Sequence, residues 1–207
     1  MALNDTTYLQ APFNQGAHLN GATNPASAGG ACHMFALKWC SRIMRTPGAG
    51  AATRMFEMGQ NTAEIRVKFR TFGSRWVNEG EERADEGFAK QWGIQVDDVR
   101  NLSSAKLISS AIKGRYDQGF IYSFWWGTPA HSIGIYRPRY AGLFSRGYVH
   151  VFEPNYGEFY MRKDRFYAWV KWRENSYGLG TVTKHQLRPL SLYAAQAVNM
   201  GVKLPGM

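Results

Sequence analysis

The chain has 207 residues, 44% of them hydrophobic and 14% aromatic, with 25 Lys/Arg against 15 Asp/Glu for a net charge of +10. That apolar content is enough to pack one core without disulfides or metal, and it excludes a disordered chain. No run of 18 apolar residues occurs, which excludes a membrane-spanning helix.

The first 30 residues are rich in Asn, Gly, Ala, Ser and Pro, show no sustained period, and read as an extended lead-in. They contain no basic segment followed by an apolar stretch, so no cleavable secretory signal is expected. The glycines of Gly29-Gly30-Ala31-Cys32 then deliver a cysteine to the first turn of a predicted helix. Met34, Phe35, Leu37, Trp39, Ile43 and Met44 surround much of that helix with apolar groups until Thr46-Pro47-Gly48 stops it. Free backbone N–H groups and the positive helix end favour thiolate there. Cys32 and Cys40 lie eight residues apart on this helix, about 12 Å, too far for a disulfide, so both thiols are expected free. Cys40 reads as core.

Further along, Ile65-Arg66-Val67-Lys68-Phe69-Arg70 alternates and suggests a strand, with a helix as the alternative. The acidic segment from Glu79 to Asp98 suggests a helix around Ala84 to Trp92, and Ser103-Ser104 opens another that carries Leu107, Ile108 and Ile112. Strands follow at Phe120–Trp126, Ser132–Tyr136, Tyr148–Phe152 and Gly157–Met161. A helix from Asp164 places Phe166, Trp169, Val170 and Arg173 on one face, and Thr181-Val182-Thr183 resumes extended structure. Helices first and sheet afterwards is an α+β order. One domain is expected over residues 1–207, mainly helical over 31–115 and mainly sheet over 116–192. The charge excess falls late, with thirteen Lys/Arg against five Asp/Glu after residue 110. It predicts attraction to acidic partners.

Two short stretches add chemistry to Cys32. They are Ala130-His131-Ser132-Ile133-Gly134-Ile135 and Glu153-Pro154-Asn155-Tyr156-Gly157-Glu158-Phe159. If the two strands pair with Ile135 facing Val149 and Ile133 facing Val151, His131 faces Glu153 and all share one face of the sheet. Opposed Cβ atoms lie about 5 Å apart. A carboxylate there holds one imidazole nitrogen and leaves the other for a thiol. His33 points about 100° away from Cys32 around the helix and reads as packing or surface, and His150 as core or sheet exterior. His18 and His185 show no partner in the sequence. No metal-ligand spacing is present. Trp125-Trp126 reads as core, with one indole a candidate roof over the site.

The Gly-x-Cys-x-x-Phe-x-x-x-Trp helix start, the Ala-His-Ser-Ile-Gly-Ile strand and the Glu-Pro-Asn-Tyr-Gly-Glu-Phe turn, in that order, resemble the YopT-type papain-like cysteine proteases, bacterial effectors delivered into host cells. The likeness spans residues 29 to about 177, and its third motif is the most specific. It implies a papain-like fold with the nucleophile helix packed on an antiparallel sheet. Cys32 would be nucleophile, His131 general base and Glu153 the orienting acid, with no cofactor. The Cys32 backbone N–H would be one oxyanion donor, a contact worth roughly 3 kcal/mol.

The chain departs from the family at two points. The acid is usually aspartate, so Asn155 is an alternative orienter. The family's oxyanion amide, five or six residues before the cysteine, is replaced by Ser27 and Ala26, and the nearest amides are Asn24, Asn20 and Gln15, with Asn24 first. The resemblance further implies secretion by a specialised system and action on proteins in the target-cell cytosol. The basic second half predicts acidic protein substrates or an anionic membrane surface. Glutamine or asparagine deamidation uses the same three groups and stays open. So does a peptidoglycan amidase of the NlpC/P60 kind. A basic nucleic-acid binder is the non-enzymatic alternative, without a recognisable motif and not expected.

Overall fold

The computed structural model describes residues 7–19, 28–65, 67–68, 71, 78, 81–113, 115–127, 129–139 and 147–193. In chain order it runs β1 (Leu9–Pro12), α1 (Gln15–His18), α2 (Ala28–Arg45), α3 (Ala51–Gln60), α4 (Glu81–Gln91), β2 (Ile94–Val96), β3 (Arg100–Leu102) and a 3-10 turn (Ala105–Leu107) leading into α5 (Ile108–Ala111). Then come β4 (Gln118–Trp125), β5 (Ala130–Arg137), β6 (Tyr148–Glu153), β7 (Gly157–Arg162), α6 (Lys163–Ser176) and β8 (Lys184–Leu192). The strands form one eight-stranded antiparallel sheet in the order β1-β7-β6-β5-β4-β8-β2, with β3 also paired to β8.

The sheet is covered on both faces, which explains why its central strands β4 and β5 are buried nearly throughout instead of alternating. On one side Ile121, Tyr136 and Phe152 pack against Phe35, Trp39 and Ile43 of α2 and Met58 of α3. On the other, Tyr122, Ile133 and Val151 pack against Phe166, Trp169 and Val170 of α6. Helix α2 lies directly on β5 because Gly134 has no side chain. A Cβ there would stand 2.7 Å from Trp39 Cε3 and 3.2 Å from Cys40 Sγ. Gly134→Ala therefore pushes the indole off its seat. The expected cost is about 1–3 kcal/mol, read as a lower urea midpoint; an unchanged midpoint would mean that α2 can retreat freely.

Several sequence expectations are corrected. The lead-in is not wholly extended: Leu9–Pro12 is the edge strand on β7, and Gln15–His18 forms a helical turn. Helix α2 opens at Ala28, so Cys32 stands fifth in it. The strand expected at 65–70 is absent from its described residues, because Ile65, Val67 and Lys68 are helical. There Glu64 receives hydrogen bonds from Lys38 and the Trp92 indole and lies 3.8 Å from Lys68 one turn on, a spacing that only a helix provides. The Ser103-Ser104 helix is a 3-10 turn and a single α-turn, with Ile108 and Ile112 buried but Leu107 exposed. The stretch 181–183 leads into β8, which begins at Lys184, and the Thr183 N–H already donates to the Trp125 carbonyl at 2.7 Å. Among the described residues no helix is long and apolar enough to cross a membrane.

Candidate active site

Cys32, His131 and Glu153 meet at the end of the sheet where the start of β5 and the end of β6 adjoin the N-terminal part of α2. Glu153 Oε1 lies 2.5 Å from His131 Nε2, and the His131 ring is also hydrogen-bonded to the Cys32 side chain. Because Nε2 is engaged by Glu153, Nδ1 is the nitrogen left for the thiol. Cys32 and Glu153 are fully buried, and His131 is 5% exposed.

The strands do not pair in the expected register. Ile135 faces Val151 and Gly134 faces Phe152, two residues away from the predicted pairing. A shift of two keeps every side chain on its own face, so His131 and Glu153 still share one. They are now diagonal neighbours, roughly 7–8 Å apart along the backbone, and the extra methylene of glutamate helps span that gap. The long acid and the shifted ladder compensate for one another.

Burial by itself would lower the His131 pKa. The negative charges of Cys32 and Glu153 and the hydrogen bonds to both outweigh it and push the value up to about 10. The ring therefore holds a proton at neutral pH, next to the sulfur. Cys40, by contrast, is enclosed by the core, and burial pushes its thiol up, out of reach of ionisation.

The structure adds a residue the sequence reading did not single out. The Tyr177 hydroxyl lies 2.9 Å from His131 Nε2 and donates to Glu153 Oε1 at 3.0 Å. Its ring packs against His131 with centroids 4.8 Å apart. Burial and the Glu153 charge raise its pKa, so the hydroxyl keeps its proton and remains a donor. The signal was present: Phe166, Val170 and Arg173 mark the inner face of α6, and Tyr177 continues that spacing by four residues. Trp126, the candidate roof, packs on Tyr177 at 5.3 Å, whereas Trp125 lies beneath the Lys184 ammonium.

Asn155 does not orient His131 directly. Its amide donates to the Tyr177 hydroxyl at 2.9 Å and accepts from Gln15 Nε2 at 2.8 Å, while its backbone N–H donates to Glu153 Oε1 at 3.3 Å. Gln15, the most distant of the three amides considered, is thus part of the cluster, and its Oε1 is buried with no hydrogen-bond partner among the described residues. Asn24 and Asn20 lie outside the described residues. The Cys32 N–H, expected as an oxyanion donor, belongs to the fifth residue of α2.

The other residues of the Glu-Pro-Asn-Tyr-Gly-Glu-Phe turn have structural work. Gly157 adopts φ +130, and a Cβ on it would fall 2.1 Å from the Ala11 carbonyl oxygen, so β1 can close on β7 only over glycine. Glu158 is buried beneath α2 and α3, where Arg54 grips it through two nitrogens and the Trp39 indole N–H donates to it at 2.8 Å. His150 Nδ1 lies 3.1 Å from the same carboxylate. Of the remaining histidines, His33 is buried 3.4 Å from Ser132 Oγ, His18 stacks on Phe13, and His185 has a partner after all in the Tyr122 hydroxyl at 2.6 Å.

No family model matches the chain, and no curated protein matches it. Among solved structures it is similar to the Pseudomonas avirulence protein AvrPphB, with a TM-score of 0.61 over 83% of this chain and 96% of that one, at 14% identity. At that identity the likeness speaks to the fold, which is α+β and papain-like, with a helix carrying the cysteine laid on an antiparallel sheet.

Proposed function

We propose that the chain is a cysteine protease of the YopT type, a bacterial effector that cuts proteins of a target cell. The observation that carries this reading is the convergence of Cys32, His131 and Glu153, far apart in sequence, on one buried hydrogen-bonded cluster. In the reaction, Cys32 Sγ attacks the scissile carbonyl carbon as thiolate, forming a tetrahedral intermediate. The proton held by His131 passes to the departing amine, leaving a thioester. Water, deprotonated by His131, then releases the acid and the free thiol. Glu153 and Tyr177 keep the imidazole turned toward the sulfur throughout. Since Cys32 and Glu153 have no exposed surface, substrate entry requires the covering chain to move.

The similarity to an avirulence protein supports delivery into a target-cell cytosol. The net charge of +10 supports acidic protein substrates or an anionic membrane surface. The test is to incubate wild type and Cys32→Ala with eukaryotic cytosolic extract and compare intact masses of the proteins altered. Fragments produced by wild type alone, fewer of them as salt is added, are the expected result. The small mass gain of amide-to-acid conversion, without fragments, would replace proteolysis by deamidation. Identical extracts would remove the enzymatic reading.

A further inference from the structure

A second feature lies at the other end of the same strand and helix. Arg137 closes β5 six residues after His131, on the same face and roughly 20 Å away. There it lines a cavity of about 370 Å³ together with Ile112, Lys113, Val149, Lys163 and Tyr167. Arg137 is only 4% exposed. Its Nη1 donates to the Ile112 carbonyl at 2.5 Å and its guanidinium lies 4.3 Å from the centre of the Tyr116 ring. No carboxylate among the described residues pairs with it. A nearly buried guanidinium without a counter-charge is costly, and this one faces a space large enough for a small molecule.

The surroundings repeat the same sign. Lys113 and Lys163 add two cations at the mouth, and the one acid at the cavity, Asp164, is 3.1 Å from Arg162. The first turn of the 14-residue helix α6 opens here, and no side chain caps its free N–H groups, so the positive end of the helix adds to the field. Three cations and a helix end against one already paired carboxylate match a doubly charged anion better than a single carboxylate. A planar guanidinium can meet two phosphate oxygens at once. Ile112, Val149 and Tyr167 give the cavity apolar walls, which inorganic phosphate alone would leave unused.

We propose that this cavity is a binding site for a phosphomonoester carried on a small apolar or aromatic group. It is separate from the Cys32 cluster and does not depend on the protease reading, since the measurement is of binding alone. The full-length chain is titrated calorimetrically with phenyl phosphate at low ionic strength. Saturable one-site binding is expected, with inorganic phosphate about tenfold weaker or worse. Lys113→Glu and Lys163→Glu, both at exposed positions, each reduce affinity about tenfold or more without changing the melting temperature. Arg137→Gln abolishes binding, with circular dichroism to check its fold.

A short phosphotyrosyl peptide that binds more tightly than phenyl phosphate would identify the group as part of a protein, and weaker binding a free metabolite. Either supports the site. Absence of saturation, or affinity unchanged in both lysine variants, overturns it. So does chain that sediments with phosphatidylserine vesicles while phenyl phosphate neither binds nor competes, because the attraction then belongs to the basic surface as a whole.

Discussion

His131→Ala is expected to reduce turnover by on the order of 10⁴-fold or more while leaving the fold intact, as seen by an unchanged circular dichroism spectrum. The imidazole both supports the thiolate and supplies the proton to the leaving group, so its loss removes two steps and not one.

Stability carries the same sign. A histidine raised from its ordinary range to about 10 stabilises the folded chain fully at acidic pH, and the contribution fades as pH rises from near 6.5 past 10. Wild type should lose stability over that window, and His131→Ala should lose less. Turnover within tenfold of wild type would remove His131 from the chemistry, whatever its contacts.

Glu158→Ala is expected to cost about 3–5 kcal/mol and to unfold a large fraction of the protein at ambient temperature, read by urea titration. The carboxylate is the common partner of Arg54 on α3, Trp39 on α2 and His150 on β6. Its removal leaves a buried guanidinium without its counter-charge and a buried indole N–H without an acceptor. Burial opposes ionisation of Glu158, but Arg54, His150 and the Trp39 indole prevail and hold its pKa down at about 2. The stabilisation is therefore complete above the ordinary glutamate range near 4.5 and is lost as pH falls toward 2, where the first steps of acid unfolding should occur. Replacing both partners, Arg54→Met with Glu158→Leu, should recover most of the loss. A single variant as stable as wild type would show the cluster to be dispensable.

Much of the candidate site was legible because its parts obey short-range rules. Parity along β5 and β6 is enough to put His131 and Glu153 on one face, and a shift of two residues cannot break that. The register itself depends on the β5–β6 connection, which the strand sequences do not specify. Tyr177 was within reach of the α6 periodicity carried one step further.

Strand β8 was not legible, for a physical reason. It lies between β4 and β2, yet its sequence contains Pro189 and the polar residues His185, Gln186 and Arg188, all four buried. Proline and buried polar groups both argue against an inner strand, and each is accommodated only by partners distant in sequence. Arg188 finds the Ser123 hydroxyl, His185 the Tyr122 hydroxyl, and the Pro189 carbonyl the Asp97 N–H. The misread stretch at 65–70 failed similarly, because Lys38 and Trp92, which settle its conformation, lie well outside any local window.

The enclosure of the Cys32 sulfur has one more consequence. Peroxide converts thiolates to sulfenic acid only where it can touch them, and Cys32 presents no surface to the solvent. On the proposed function, a resting molecule is thus protected from oxidants that would silence an open cleft, and becomes vulnerable only during the interval in which it admits a substrate.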